Sequence, residues 1–226
     1  MQEIEAKFYV LDLKKIETRL HELEARLIQE RVLETNIRFD LPDARLRSEG
    51  RVLRLRQDTE TKLTYKDAGT KAQGVINRTE IEFVVEDFEK AKNFLEALGY
   101  QKLLQYDKYR TTYILDSGSI AVAPWRHLLP NFRQQAVGLH NCHIMLDELP
   151  YGYFVEIEGT DIAAIHDISQ KLNLDLQTAI STGYTNLFEN ARRTLGLKFT
   201  DLTFANFAGI NVSPEHLQVQ PADLKS

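Results

Sequence analysis

Charged and apolar residues alternate at the start of the chain, in the stretch Glu-Ile-Glu-Ala-Lys-Phe of residues 3–8. In a helix this spacing would scatter the charges around the cylinder, whereas successive side chains of a β-strand point to opposite faces. A strand would therefore place Glu3, Glu5 and Lys7 together on one face and the apolar residues on the other. The pattern predicts a first strand with one ionic and one apolar face.

The same two-residue period returns in several later segments that are bounded by turn residues. The further predicted strands are residues 31–40, 51–57, 61–67, 77–86, 103–116, 144–149 and 153–159. Apolar residues at helical spacing predict helices at residues 12–29, 88–98, 162–172 and 184–195. About eight strands and four helices without a low-complexity linker indicate one α+β domain over residues 1–200. Residues 201–226 are expected to form a C-terminal tail that frays from Pro214 onward.

The polar faces of these strands carry charged pairs with few of the uncharged polar residues that a solvent face usually contains. These charged residues are Glu3, Glu5, Lys7, Arg54, Arg56, Lys62, Lys66, Glu80, Glu82, Lys108, Arg110, Glu156 and Glu158. An open antiparallel sheet with helices on one face and water on the other would need no function. If the strands instead close into a ring, the charged face lines the interior and the apolar face receives the helices. Since unpaired buried charges cost several kcal/mol each, such an interior must hold water and ions.

Composition narrows the class of protein. The net charge of -5 at pH 7 gives no reason to expect a nucleic acid as partner. The single cysteine, Cys142, excludes an internal disulfide and fits a reducing compartment. No apolar run approaches the roughly 20 residues of a membrane helix, and the first residues do not resemble a signal peptide. The expectation is a cytoplasmic protein that binds neither a membrane nor a nucleic acid.

Acids and bases in one enclosed bore indicate a particular kind of ligand. Carboxylate oxygens suit hard cations such as Mg²⁺ or Mn²⁺, and Arg and Lys suit phosphate oxygens. Arginines alone would accept any anion, and metal-binding acids alone would repel one. Their combination predicts a metal-bound polyphosphate, with Mg²⁺ or Mn²⁺ as the cofactor.

Six motifs follow one another in a fixed order along the chain. They are Glu3-x-Glu5-x-Lys7, Leu53-Arg54-Leu55-Arg56, Thr64-Tyr65-Lys66, Glu80-x-Glu82, Lys108-x-Arg110, and Asp147 followed by Gly152-Tyr153-Phe154-Val155-Glu156-Ile157-Glu158. In these motifs the chain resembles the CYTH superfamily, also called triphosphate tunnel metalloenzymes, over residues 1–196. The resemblance implies an eight-stranded antiparallel β-tunnel, closed on itself, with a charged interior and helices packed outside. It also implies a triphosphate-bearing small molecule as the ligand.

The resemblance further implies a role for each position. The metal ligands would be Glu3, Glu5, Asp147, Glu156 and Glu158. The substrate ligands would be Lys7, Arg54, Arg56, Lys66, Lys108 and Arg110, with Glu80 and Glu82 as acids that orient basic residues or hold a second metal. The catalytic set would be Glu3, Glu5, Lys7 and Glu158, while the general base stays open between a lysine and a glutamate. Lys62 fits a solvated lysine at a strand mouth equally well.

Members of the superfamily include class IV adenylyl cyclases, thiamine triphosphatases and inorganic triphosphatases, which differ in the group that attacks phosphorus. The leading hypothesis is metal-dependent hydrolysis of tripolyphosphate or of a small organic triphosphate such as thiamine triphosphate, because hydrolysis needs only water and a grip on the triphosphate. The close alternative is cyclisation of ATP to cyclic AMP and pyrophosphate, which also needs a pocket for the base. A polyphosphate-binding module without turnover is the third hypothesis, and the two Glu-x-Glu pairs disfavour it.

The sequence departs from the superfamily in residues 117–143, where about two dozen extra residues replace a tight hairpin. The segment contains Trp125 and no acid. We interpret it as a flexible insertion loop, with a lid or a dimer contact as the alternatives. A homodimer is therefore left open.

Overall fold

Eight antiparallel strands form a closed ring in the computed structural model, which describes residues 2–117 and 140–224. The ring strands are β1 Gln2–Val10, β2 Arg26–Asp40, β3 Val52–Gln57, β4 Thr61–Lys66, β6 Val75–Val85, β7 Gln101–Ser117, β8 His140–Leu149 and β9 Gly152–Glu158. Their order is β1-β9-β8-β7-β2-β3-β4-β6, and β6 pairs with β1 to close the ring. A short strand, β5 Thr70–Ala72, pairs with the start of β6. The predicted closed, eight-stranded tunnel is confirmed.

Six helices accompany the strands in the described ranges. They are α1 Leu13–Glu22, α2 Arg45–Ser48, α3 Phe88–Ala97, α4 Ile162–Lys171, α5 Tyr184–Leu195 and α6 Pro214–Leu217. Asp12, Asp87 and Asp161 begin α1, α3 and α4, because their carboxylates accept backbone N–H groups of the first turn. Within the described residues, none of the helices combines the length and apolarity required to traverse a bilayer.

The largest apolar cluster lies outside the ring, where α1 and α4 pack against β1, β8 and β9. Phe8, Ile157 and Ile165 are completely buried in it. Because the side chains of a strand alternate, burying these residues turns Lys7 and Glu156 toward the interior of the ring. The outer core therefore determines which residues line the tunnel.

The helix predicted over residues 12–29 is too long. α1 ends at Glu22, and Glu24 has a φ of 57°, in the left-handed region that ends helices. The Ala25 N–H donates to the Leu20 carbonyl at 2.9 Å, which closes the helix end. The apolar residues that follow belong to β2 instead, where Leu27 pairs with Tyr113 of β7.

The insertion predicted at residues 117–143 is shorter than expected on its C-terminal side. β8 already begins at His140, which pairs with Ser117, so residues 140–143 extend a hairpin. The remainder of the predicted insertion, residues 118–139, lies outside the described residues.

The C-terminal segment is packed, so the prediction that it frays from Pro214 onward is wrong. Leu202, Leu217 and Ala222 are completely buried. The Ala222 N–H donates to the Tyr9 carbonyl at 2.8 Å, and the Leu202 N–H donates to the Gln105 carbonyl at 2.8 Å. With α5, this segment forms a second apolar cluster against the ends of β1, β7 and β9.

Candidate functional site

The ring encloses a cavity of about 670 Å³, to which all eight ring strands and the start of α5 contribute. We call this cavity the tunnel. The predicted site residues that line it are Glu3, Glu5, Lys7, Arg54, Arg56, Lys66, Glu80, Glu82, Lys108, Arg110, Glu156 and Glu158, together with Lys62. Asp147 is the exception, and its position is described below.

Carboxylates gather at the end of the tunnel where β1 begins and β9 ends. Glu5 pairs in register with Glu158 across β1 and β9. Glu3 and Glu80 reach the same region, because Lys66 forms ion pairs with both and its Nζ lies 3.2 Å from Glu80. We call Glu3, Glu5, Glu80 and Glu158 the acidic end.

Arg78 is the second cation of the acidic end. It pairs in register with Glu3 across β1 and β6. Its Nε donates to Glu3 at 2.7 Å and its Nη2 to Glu5 at 3.0 Å. The two acids of the first motif are therefore already engaged by protein cations.

The pKa values of the acidic end differ among its members. Burial and then the charge of Glu3 raise the pKa of Glu158 to about 7, against the effect of Lys66. Burial also raises the pKa of Glu80. Burial disfavours the charged form of Glu3 too, but Lys66 and Arg78 outweigh it and lower its pKa to about 2. The acidic end therefore carries more carboxyl groups than its two cations can hold ionised at neutral pH.

A buried ion-pair ladder follows in the middle of the tunnel. The Lys7 Nζ lies 3.0 Å from Glu156 and 4.2 Å from the ring centre of Tyr184. Arg110 donates to the other oxygen of Glu156. Burial disfavours both charges, but Lys7 and Arg110 hold the pKa of Glu156 well below its ordinary value, and Glu156 raises the pKa of Lys7.

Asp147 lies behind this ladder and does not line the tunnel. It is completely buried. Its carboxylate accepts bonds from Lys108 at 2.9 Å, from Nε and Nη2 of Arg110 at 2.6 Å each, and from the Tyr184 hydroxyl at 2.7 Å. The metal-ligand role predicted for Asp147 does not fit this position, because its oxygens are occupied by four donors and it belongs to the support of Lys108 and Arg110.

The remaining cations form a wall around two further acids. Glu34 is almost completely buried, and its oxygens lie 3.4 Å from Lys108, 3.7 Å from Arg56 and 3.8 Å from Arg110. Burial opposes the charge of Glu34, yet Lys108 and Arg110 lower its pKa to about 2. Glu82 is the second acid, 3.7 Å from Arg56.

The tunnel-lining residues that were not among the predicted ones include Glu34, Arg38, Arg78 and Tyr184. The alternation of β2 and β6 carried a signal for the first three, because Glu34 and Arg38 share one face of β2 and Arg78 precedes Glu80 by two positions. No such signal existed for Tyr184, which reaches the tunnel from the first turn of α5.

The donors of the acidic end suit a divalent metal in chemistry, although they do not yet surround one point. Among residues 2–117 and 140–224, no three Asp, Glu, His or Cys side chains are close enough together to hold an ion. Lys66 and Arg78 occupy oxygens of Glu3 and Glu5 instead. Burial and then the neighbouring carboxylates raise the pKa of Glu158, and a divalent cation would offset both effects. The group fits a metal once its two cations turn away.

Comparison with known proteins places this geometry in a family. The CYTH domain model matches residues 1–184. A candidate adenylate cyclase of Vibrio parahaemolyticus has a TM-score of 0.63 and 18% identity, covering 83% of this chain and 97% of that one. The PH1819 protein of Pyrococcus horikoshii has a TM-score of 0.60 and 23% identity, with coverages of 84% and 99%. The chain belongs to the CYTH family.

A third solved structure is informative for its description. It is a candidate adenylyl cyclase from Hippeastrum that is described as having a dominant triphosphatase activity. Its TM-score is 0.55 and its identity 15%, and the alignment covers 96% of this chain and 100% of that one. The search of curated proteins gives no significant match. At these identities the solved structures support the fold and leave the activity to be proposed.

Replacing Glu158 with glutamine is expected to stabilise the metal-free protein at pH 8. The pKa of Glu158 is about 7 in the folded protein against an ordinary value of 4.5, so the folded state binds more protons than the unfolded state between these values. Stability from this group is therefore lost as the pH rises from about 4.5 to about 7. We expect Glu158→Gln to raise the free energy of unfolding by about 1 to 2 kcal/mol at pH 8, with little change at pH 4.5. Urea denaturation at both pH values measures the difference.

The control for this variant is Glu96→Gln, on an exposed position of α3. This control should leave the difference in the free energy of unfolding between pH 4.5 and pH 8 the same as in the unaltered protein. A Glu158→Gln protein with the same pH profile as the unaltered chain would contradict the raised pKa.

Proposed function

We propose that this protein hydrolyses a triphosphate in a divalent-metal-dependent reaction inside the tunnel. The observation that carries the proposal is the placement of two opposite kinds of site in one cavity. The acidic end offers carboxylates for Mg²⁺ or Mn²⁺, and the wall formed by Arg54, Arg56, Lys108 and Arg110 offers donors for phosphate oxygens. A metal-bound triphosphate needs both. Family membership supports the proposal, because the CYTH family is associated with triphosphate substrates.

The cations of the wall would bind and orient the phosphates. Arg54 and Arg56 come from one strand and share the acid Glu82 at 3.5 and 3.7 Å. These contacts are longer than a good charge-assisted hydrogen bond, so the guanidinium groups retain donors for a phosphate. In contrast, Asp147 holds Lys108 and Arg110 with short bonds, which keeps these two side chains in place.

At the acidic end, the protein would exchange one set of charge partners for another. Glu3, Glu5 and Glu158 would hold the metal, which when bound neutralises charge on the phosphoryl oxygens. Lys66 and Arg78 would then leave Glu3 and Glu5 and become available to phosphate oxygens. The general base stays open between a lysine and a glutamate of the tunnel.

Hydrolysis would break the bond between the terminal phosphorus and its bridging oxygen. A water oxygen forms the new bond, and orthophosphate leaves the shortened chain. In cyclisation, the ribose 3′ hydroxyl would attack the α-phosphorus and pyrophosphate would leave. The same cations serve both reactions, so identification of the products decides between them.

The test incubates the protein with Mg²⁺ or Mn²⁺ and, separately, with tripolyphosphate, thiamine triphosphate and ATP. We expect orthophosphate from at least one substrate, detected by phosphate assay and chromatography, and none in the presence of EDTA. Cyclic AMP with pyrophosphate from ATP would replace the proposal by the cyclase alternative. Tight binding of tripolyphosphate without any product would replace it by a binding module.

A further inference from the structure

A second cavity, of about 430 Å³, adjoins the tunnel, and Arg78 lines both. It lies where β3 and β6 begin and where β4 leads into β5, against the start of α5. The two cavities share Arg38, Val52, Arg78, Gly183 and Thr185 in their linings, so they lie next to each other. We call the second cavity the basic chamber.

The charge of the basic chamber is strongly one-sided. Its basic lining residues are Arg38, Arg47, Arg51, Lys71, Arg78 and Arg192, and its acid is Glu189. Glu189 is already held by Arg192 at 2.7 Å. Within the described part of the chain, no acid lies within ion-pair distance of Arg47 or Lys71, which are both exposed. The chamber therefore has cations available for an anion.

Arg38 lies at the junction of the tunnel and the chamber. Its Nε is buried and, among the described residues, has no hydrogen-bond partner. Its pKa is lowered, because burial disfavours the charge and the cations Arg54 and Arg78 repel it, against the opposing effects of Tyr106 and Asp40. A buried donor without an acceptor is costly. An anion at the junction would supply the acceptor and relieve the repulsion.

The start of α5 adds to this field. Gly183 is the N-terminal cap of the helix, and no side chain caps the first turn. The positive end of a helix dipole and its uncapped N–H groups favour anions. The helix end faces the same chamber as the arginines.

We propose that the basic chamber binds phosphate groups beyond the third, so that the substrate range extends to linear inorganic polyphosphates of four or more units. This inference rests on the proposed function, because the first three phosphates would occupy the tunnel. Cations line the wall, the shared boundary at Arg38 and Arg78, and the chamber. A longer phosphate chain can follow them without leaving a cationic surface.

The chamber is poorly suited to the organic part of an organic triphosphate. None of the described residues that line it is aromatic, so a nucleobase would find no ring on which to stack. Thiamine carries a positive charge, which the arginines would repel. Both groups would have to remain outside the chamber, whereas a fourth phosphate gains contacts within it.

The test compares tripolyphosphate with tetrapolyphosphate at fixed ionic strength, because salt screens these exposed charges. Affinities are measured by calorimetry without divalent metal, so that metal-dependent turnover does not interfere, and hydrolysis is measured with Mg²⁺. The test variant is Arg47→Ala with Lys71→Ala, two exposed positions outside the tunnel. The matched control is Lys15→Ala with Arg193→Ala, which removes the same two side-chain types at exposed positions outside both cavities.

We expect the unaltered protein to bind tetrapolyphosphate more tightly than tripolyphosphate. The ratio of the two affinities should fall by about fivefold or more in the chamber variant and stay unchanged in the control. Adenosine tetraphosphate serves as a further arm. If adenosine tetraphosphate gains as much affinity over ATP as tetrapolyphosphate gains over tripolyphosphate, the chamber binds the fourth phosphate of either kind of compound. If only tetrapolyphosphate gains affinity, the chamber is specific for the inorganic chain.

Two failures can be told apart. If tripolyphosphate is hydrolysed but the affinity ratio is the same in both variants, the chamber inference is wrong and the proposed function stands. If no compound is hydrolysed while the ratio still depends on Arg47 and Lys71, the chamber is an anion site and the proposed hydrolysis is wrong.

Discussion

Replacing Glu5 with glutamine is expected to reduce metal-dependent triphosphate hydrolysis by at least about hundredfold while the protein stays folded. Glu5 is buried at the acidic end, next to Glu158 in register, and its carboxylate is engaged by Arg78 at 3.0 Å. Glutamine keeps the shape and one acceptor oxygen but removes the negative charge that a divalent cation requires. Calorimetric titration with Mg²⁺ and the phosphate-release assay measure the two consequences, and circular dichroism checks the fold.

The contrast that makes this result specific is Arg56→Ala. Arg56 lines the tunnel with acids 3.2 to 3.7 Å away and none of its contacts involves the acidic end. Its removal should weaken triphosphate affinity and leave the affinity for Mg²⁺ alone unchanged. The exposed Glu96→Gln variant controls for loss of an acid anywhere on the molecule. Full metal-dependent activity in the Glu5→Gln protein would remove the acidic end from the mechanism.

The inner face of each strand could be predicted from the sequence, because it depends only on the local alternation of residues. Every second side chain of a strand points to the same face, and in β1 the residues Glu3, Glu5 and Lys7 mark the ionic face. The pairing that closes the ring is not local. It brings Glu3 against Arg78, which lies 75 residues away. The periodicity identified both faces, and the family resemblance supplied the closure.

The structure departs from the sequence-based expectations in features that depend on tertiary packing. Asp147 carries the charge of a metal ligand, but only the docking of α5 places Tyr184 over it and removes it from the tunnel. The C-terminal residues are short in apolar runs, yet Leu217 is buried in the cluster with α5 and Ala222 in the cluster with α1 and α4. The helical periodicity of α5 does not indicate that its first residue, Tyr184, lies against the tunnel.

The electrostatics of the tunnel explain why it is built from so many opposed charges. Ion pairs buried in a protein seldom add stability over apolar residues of the same size. The tunnel nevertheless contains a series of them, and the weakly held members, such as Arg54 at 3.5 Å from Glu82, lie in the wall that would face a phosphate. The ion pairs of the wall neutralise its cations without ligand and leave them able to exchange partners. Binding would thus replace one ionic network by another without exposing bare charge to a dry interior.

Substitution of Asp147 distinguishes a residue that holds neighbouring cations in place from a residue that binds the metal. Replacement of Asp147 by alanine or asparagine should lower the free energy of unfolding by about 3 to 5 kcal/mol, because the buried Lys108 and Arg110 would lose the acid that they contact at short distance. Urea denaturation in EDTA is the measurement, since a supporting residue acts without metal. Tyr184→Phe removes one of the four bonds to the carboxylate and should cost about 1 kcal/mol.

A metal ligand would behave in the opposite way in this experiment. Its removal would relieve repulsion among carboxylates, leave the metal-free protein as stable as before or more stable, and abolish the additional stability that Mg²⁺ confers. Asp147 accepts hydrogen bonds from two cations and a hydroxyl group. We therefore expect the destabilised, metal-independent outcome. A stable Asp147→Asn protein that has lost only its response to Mg²⁺ would return this residue to the metal site.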